Sequence, residues 1–178
     1  GNEDAVRDYI ISQIKDFCEY KVDNLGSIIA YKKGKKTTAQ KISINAHMDE
    51  VGFIVTGITD DGYLRFTSVG GIDSRVCLDR IVTVGKKAVK GVIGDKAFHL
   101  LSSDEKDSCP SFDNLLIDIG ATSKNEAEQY VALGDFVYFD SDYVELGNGY
   151  IKAKALDDRI GCMLMIELIK SELEYDTV

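Results

Sequence analysis

One stretch constrains this chain more than any other: Ile42-Ser43-Ile44-Asn45-Ala46-His47-Met48-Asp49-Glu50-Val51-Gly52-Phe53. Ile42, Ile44 and Ala46 alternate with Ser43 and Asn45, the two-residue period of a strand with one buried face. The apolar run stops at His47, Asp49 and Glu50 and resumes at Val51. Polar groups set between hydrophobic runs cost free energy unless they find partners. A strand ending in His-x-Asp offers a reason for them: His47 points at a site, and Asp49 follows two residues on, on the same side. Taken alone, the pattern favours a hydrogen-bonded strand end over a metal or catalytic site.

A second candidate changes that balance. A strand over 150–153 leads through Lys154-Ala155-Leu156-Asp157-Asp158-Arg159 into a helix. A single Asp at such a junction reads as an N-cap. Two adjacent carboxylates are harder to explain that way, because one cap suffices and like charges repel. A bound cation would remove the conflict. Imidazole and carboxylate together suit zinc or a similar divalent ion.

Composition excludes several classes. A chain of 178 residues holds one ordinary domain or two small ones and can bury a core without staples. Its 44% hydrophobic and 29% charged residues are those of a soluble globular protein. No run reaches the length of a membrane span, and no secretory leader pattern opens the sequence. A net charge of −9 argues against nucleic acid as a partner. Cys18, Cys77, Cys109 and Cys162 are scattered, without zinc-ribbon or redox spacing, so four free thiols in a reducing cytoplasm are expected.

The rest of the chain falls into two textures. Residues 4–18 read as a helix with Val6, Ile10, Ile14 and Phe17 on one face. Strands over 20–23 and 27–32 follow, and Lys32-Lys33-Gly34-Lys35-Lys36 reads as a solvated hairpin end. From Gly52, short strands over 52–59, 63–69, 80–84, 88–93, 115–120 and 136–139 alternate with close turns. Ser123-Lys124-Asn125-Glu126 is a capping box opening a helix to 131. This pattern suggests a compact β-barrel-like module. Residues 104–112 read as a surface loop, and His99, in an apolar setting, as structural. The helix after Asp158 is apolar nearly all round and is expected inside an α/β layer structure. A new strand is expected from Tyr175.

Taken together, these motifs resemble the tetrahedral aminopeptidases, also called glutamyl or deblocking aminopeptidases and, in older usage, cellulase-M-like endoglucanases. The matching residues include Ala46-His47-Met48-Asp49-Glu50-Val51-Gly52-Phe53, Val69-Gly70-Gly71, Gly91-Val92-Ile93-Gly94 and His99-Leu100-Leu101. They continue with Ile117-Asp118-Ile119-Gly120-Ala121, Gly134-Asp135-Phe136-Val137 and Lys154-Ala155-Leu156-Asp157-Asp158-Arg159. The resemblance implies an α/β fold, with parts of a doubly wound, phosphopeptidase-like zinc exopeptidase sheet. An inserted β-barrel-like dimerisation module would interrupt it. Residues 1–53 and 147–178 would form the catalytic domain, and 54–146 the insert. His47 and Asp157 would bind metal, Asp157 bridging two divalent ions, zinc or cobalt. Asp49 would be the catalytic-site residue that orients His47. The substrates would be peptides, and the assembly a homo-oligomer built from dimers in the cytoplasm.

The resemblance also implies what to look for elsewhere. Chains of that family are about twice as long, and their catalytic glutamate pair, a further Asp ligand and a last His ligand have no match here. The 178 residues alone are therefore expected to be inactive, with apolar faces left for further chain to cover. Two alternatives remain: a non-catalytic assembly module or short homologue, and an endoglucanase, for which a His-Asp metal pair supplies no acid pair across a sugar groove. Two atoms that bind one ion should lie about 3–4 Å apart, so His47 and Asp157 are expected to meet. Both strand ends are expected at the carboxyl edge of one sheet. In related two-metal peptidases the peptide corresponding to Asp157-Asp158 is cis.

Overall fold

The computed structural model describes residues 2–37, 42–95 and 109–177. In chain order the elements are α1 (Asp4–Ile14), β1 (Glu19–Val22), β2 (Ile28–Tyr31), β3 (Gly52–Ile58), β4 (Leu64–Val69), β5 (Ile81–Val84) and β6 (Val89–Gly94). They continue with β7 (Leu116–Asp118), α2 (Lys124–Ala127), β8 (Phe136–Phe139), β9 (Val144–Leu146), β10 (Tyr150–Lys152) and α3 (Leu156–Lys170). The chain divides into two units: Gly1–Glu50 with Ala155–Val178, and Val51–Lys154. His99 and most of the loop expected over 104–112 lie outside the described residues.

The first unit carries two helices and one hairpin. In α1, Ile14 is fully buried, and Asp4 in the first turn pairs with Arg7 at 2.7 Å. The helix stops at Ile14, four residues short of the expected end. The Phe17 N–H then closes a last turn on the Ile14 carbonyl, and its ring is exposed. Antiparallel β1 and β2 meet at a turn organised by Asp23, whose Oδ1 accepts from the N–H groups of Leu25 and Ser27 at 2.9 Å each. The basic tip is exposed at Lys33, Lys35 and Lys36, as expected, and is also tied to residues 172–176. Lys36 pairs with Glu174 at 2.7 Å, Lys35 pairs with Glu172, and the Gly34 N–H donates to Asp176 Oδ1 at 2.9 Å. The strand expected from Tyr175 is reduced to single bridges, Thr177 to Lys32 and Ile42, and Tyr175 to Lys36.

Two expectations for this unit are corrected. Residues 43–50 form no strand, and the wide sheet expected around them does not appear among the described residues. A strand needs a neighbour to take its backbone groups, and Ile42 alone finds one. The chain before Asp157 does not join such a sheet either, because β10 pairs with β9 in a separate antiparallel hairpin. Helix α3 is not enclosed on all sides. Cys162 and Ile166 are buried, whereas Met163 and Leu164 are 55% and 60% exposed. Within its own unit the helix packs against α1, with Lys170 donating to Gln13 at 3.0 Å. Helices α1 and α3 and the 43–49 segment line a cavity of about 760 Å³.

The second unit is organised by barrel closure. Strands β3-β4-β7-β6-β5-β8 close into a six-stranded antiparallel barrel, β8 returning to β3 through Phe53↔Val137 and Ile54↔Phe136. Alternation places Leu64 and Phe66 of β4 inside, with Arg65 between them outside. A bulge between Val55 and Gly57 shifts the β3–β4 register, one of the devices that bend a strand around a barrel. Phe53, Leu64, Val82, Val84, Ile93, Ile117 and Val137 fill the interior. The Phe53 ring meets Phe66 and Phe139 edge-on, at 5.0 and 5.1 Å between centroids. Ser123 caps α2 by accepting from the Glu126 N–H at 3.3 Å, and the Glu126 carboxylate accepts from the Thr122 N–H at 2.8 Å. This helix ends at Ala127, but Val131 beyond it is still buried in the core. Asn148 and Gly149, both at positive φ, form the turn between β9 and β10.

Between β4 and β5, Asp73 caps a single helical turn (Ser74–Val76) and its carboxylate grips the Arg75 guanidinium, with Nε bonds of 2.9 and 3.0 Å. The side-chain bonds from Arg75, then its backbone N–H, hold Asp73 down to about 2. A carboxyl depressed in the folded state contributes stability above its unfolded pKa and loses it as pH falls through the folded value. An NMR titration should therefore find the Asp73 midpoint at about 2, and Arg75→Ala should return it toward the ordinary ~3.9. In the barrel, Phe53→Ala should cost about 3–5 kcal/mol in denaturant unfolding, because its ring leaves a cavity in a closed core.

Candidate functional site

The site is built from the start of α3 and the irregular segment before β3. At α3, Ala155 is left-handed (φ 55), Asp157 and Asp158 are non-helical, and the peptide joining the two aspartates is cis. The two carboxylates divide the work. Asp158 Oδ1 accepts from the Gly161 N–H at 3.1 Å, the geometry of an N-cap. A Cβ at residue 161 would lie 2.5 Å from that oxygen, so glycine leaves the cap its room. Asp157 is left to project, with its side chain 95% exposed.

His47 meets Asp157 across 110 positions of sequence, with Nε2 to Oδ1 at 3.1 Å. On the opposite edge of the ring, Nδ1 lies 3.1 Å from Asp49 Oδ1. One imidazole thus bridges two carboxylates. Desolvation works to lower its pKa, but a hydrogen bond to the Asp49 backbone, then the Asp49 charge, then the bond and charge of Asp157 outweigh it and leave it above the ordinary histidine value. Both ring nitrogens can donate at once only in the protonated ring, which agrees with that direction.

Two further residues shape the site, and sequence reading missed both. Arg159 Nε donates to the Met48 carbonyl at 3.0 Å, and Cys162 Sγ donates to the His47 carbonyl at 3.4 Å. Burial, then the Asp158 charge, pushes the Cys162 thiol up, so it keeps its proton. The only sequence signal is their spacing, three apart on one helix face. The Asp158 cap had a clearer one, Asp-x-x-Gly at a helix start.

The donor set suits a divalent cation in kind. Atoms bound to one zinc ion each sit about 2.0–2.2 Å from it, so two of them can be at most about 4.4 Å apart. The 3.1 Å gap between His47 and Asp157 falls inside that limit. In number the set is short, since among the described residues no group of three His, Cys, Asp or Glu comes together to hold an ion.

Comparison with known proteins adds independent evidence. FrvX of Escherichia coli K12, which carries the name aminopeptidase, is 42% identical over 176 residues, 96% of this chain and 49% of its own length. The TET1 peptidase of Pyrococcus horikoshii, described as assembling into a tetrahedron or a large octahedral shell, superposes with a TM-score of 0.80 at 39% identity, over 98% of this chain and 55% of its own. A Thermotoga maritima structure named endoglucanase superposes with a TM-score of 0.80 at 42% identity, over 99% of this chain and 53% of its own. The chain spans about half the length of the curated relatives it matches. Residues 26–177 match the M42 glutamyl aminopeptidase family, and with most of its length inside that match, this chain belongs to that family.

Proposed function

We propose that this chain supplies the His47–Asp157 side of the metal centre in an aminopeptidase that releases N-terminal residues from peptides. One observation carries the reading: the His47 ring is held between Asp157 and Asp49 at 3.1 Å on either edge. Asp49 accepts the Nδ1 proton and so directs the Nε2 lone pair toward the ion. Asp157, with one oxygen on His47 and the rest of its carboxylate exposed, has room to bridge two ions. Bound zinc or cobalt would polarise the scissile carbonyl and lower the pKa of water. Catalytic zinc takes three protein ligands, so the remaining ligands and the general base are assigned to residues beyond those described. In this reading the first unit is part of a zinc exopeptidase α/β domain. The barrel unit mediates dimers that build larger homo-oligomers, in the cytoplasm and without nucleic acid or membrane; the tetrahedral or octahedral assembly of the Pyrococcus peptidase supports the homo-oligomer alone. The site geometry does not favour an endoglucanase, because Asp49 and Asp157 are joined through one ring instead of facing each other across a groove.

The 178 residues alone should show no chelator-sensitive hydrolysis of an aminoacyl anilide. Joined to the C-terminal half of FrvX, they should hydrolyse it with added cobalt, and should leave carboxymethylcellulose intact. In that chimera His47→Ala and Asp157→Asn should each lower kcat/KM by about a hundredfold or more, since metal polarisation is worth several kcal/mol. An active chimera whose His47→Ala form works as well as its parent would defeat the assignment. Asp49→Asn should lower the His47 pKa, read by NMR in the metal-free chain, because it removes a negative charge that favours the imidazolium. Metal binding displaces a proton from that ring, so calorimetric affinity should fall about tenfold per pH unit below the His47 pKa.

A further inference from the structure

Besides the Asp157–His47 contact, helix α3 makes two further contacts with the segment that carries His47, and both go to backbone oxygens. Arg159 Nε reaches the carbonyl of Met48 at 3.0 Å, and Cys162 Sγ that of His47 at 3.4 Å. The two side chains stand three residues apart, on one face of the helix. A strand turns neighbouring carbonyls to opposite edges, so a single helix face serving two in succession goes with the irregular backbone seen at 43–50. Among the described residues no carboxylate pairs with the Arg159 guanidinium, and its Nε is committed to this one carbonyl.

The contacts close a small circuit. The His47 ring meets Asp157 at 3.1 Å, Asp157 is two residues from Arg159 on the same helix start, and Arg159 returns to Met48, next to His47. A His–Asp contact across 110 positions needs such a tie, because residues 43–50 have no strand neighbour to hold them. We infer that Arg159 and Cys162 are positioning residues: their donors on consecutive carbonyls fix the His47 segment against the helix that carries Asp157. The inference rests on the metal reading for its catalytic consequence, but not for the geometry itself. The Arg159 charge is incidental here, and what matters is an N–H at the ε position. Glutamine places an N–H the same number of bonds along its side chain, whereas methionine keeps the apolar stem and offers no donor. Serine and valine play the same parts at residue 162.

The test uses the chimera with the FrvX C-terminal half, in the metal-free form, carrying Arg159→Met, Arg159→Gln, Cys162→Val or Cys162→Ser. Cobalt(II) is titrated by calorimetry and by its visible absorption band, alongside thermal melts of the metal-free proteins. Arg159→Met should weaken cobalt binding about tenfold or more, the usual scale for groups that orient ligands, with a changed band and an unshifted melt. Cys162→Val should weaken it less, and Arg159→Gln and Cys162→Ser should bind within about threefold of the parent. Parent-like binding by Arg159→Met, failure of Arg159→Gln to restore it, or a loss that merely follows a lowered melt would overturn the inference. Crystal structures of the metal-free parent and Arg159→Met give a readout without any ion. The 3.1 Å His47–Asp157 contact should be lost in the variant, and its retention would overturn the inference. A parent that binds no cobalt would defeat the metal reading, while this structural comparison would still decide the positioning role.

Discussion

An imidazole has two nitrogens on opposite edges, and at His47 a carboxylate stands 3.1 Å from each. The rest of the site depends on that arrangement. Two negative groups around one neutral ring leave an excess of negative charge that a cation can balance. A proton on the ring is one such cation, and after a hydrogen bond to the Asp49 backbone these two carboxylates hold the His47 pKa above its ordinary value. A divalent ion on the Nε2 side would be another. In the proposed metal-bound state, as in the protonated one, Asp49 would accept from Nδ1 and Asp157 would face the cation.

The arrangement uses backbone that belongs to no regular element. Residues 43–50 have no ladder to take their carbonyls, and unpaired backbone groups are costly where water is excluded. Helix α3 answers with side chains, Arg159 to Met48 and Cys162 to His47. The same helix start assigns its two carboxylates differently, Asp158 to the Gly161 N–H and Asp157 to the site. The six residues from Asp157 to Cys162 thus cap a helix, bond to a neighbouring segment and present the carboxylate that meets His47.

The two units differ in how they are held. Among the described residues, the barrel unit buries thirteen hydrophobic residues in one cluster, whereas the unit carrying His47 buries Ile14, Cys162 and Ile166. Burial stabilises in proportion to apolar area, so the barrel has most of the apolar packing. In the thinner unit, position is set more by directed hydrogen bonds than by close packing. That makes the donors of α3 matter to the site's geometry beyond their individual strengths.

Features that depend on a few consecutive residues were legible in the sequence by itself. Turn pairs such as Asn148-Gly149, the Ser123 cap and the alternation of β4 and β8 all act within about four positions, where local sterics and hydrogen bonding decide. The two candidate ligands stood out as polar residues with no apparent partner in their own surroundings. Tertiary structure decided what those partners were. No shared sheet joins residues 42–46 to the chain before Asp157, yet His47 and Asp157 meet, because α3 reaches the 47–48 carbonyls directly. The apolar surround of α3 suggested a buried helix, but burial depends on what packs against each face, and Met163 and Leu164 are exposed. Periodicity shows which residues share a face. What that face meets, and which carbonyl an arginine 111 positions away will bond, is fixed only when distant segments fold together.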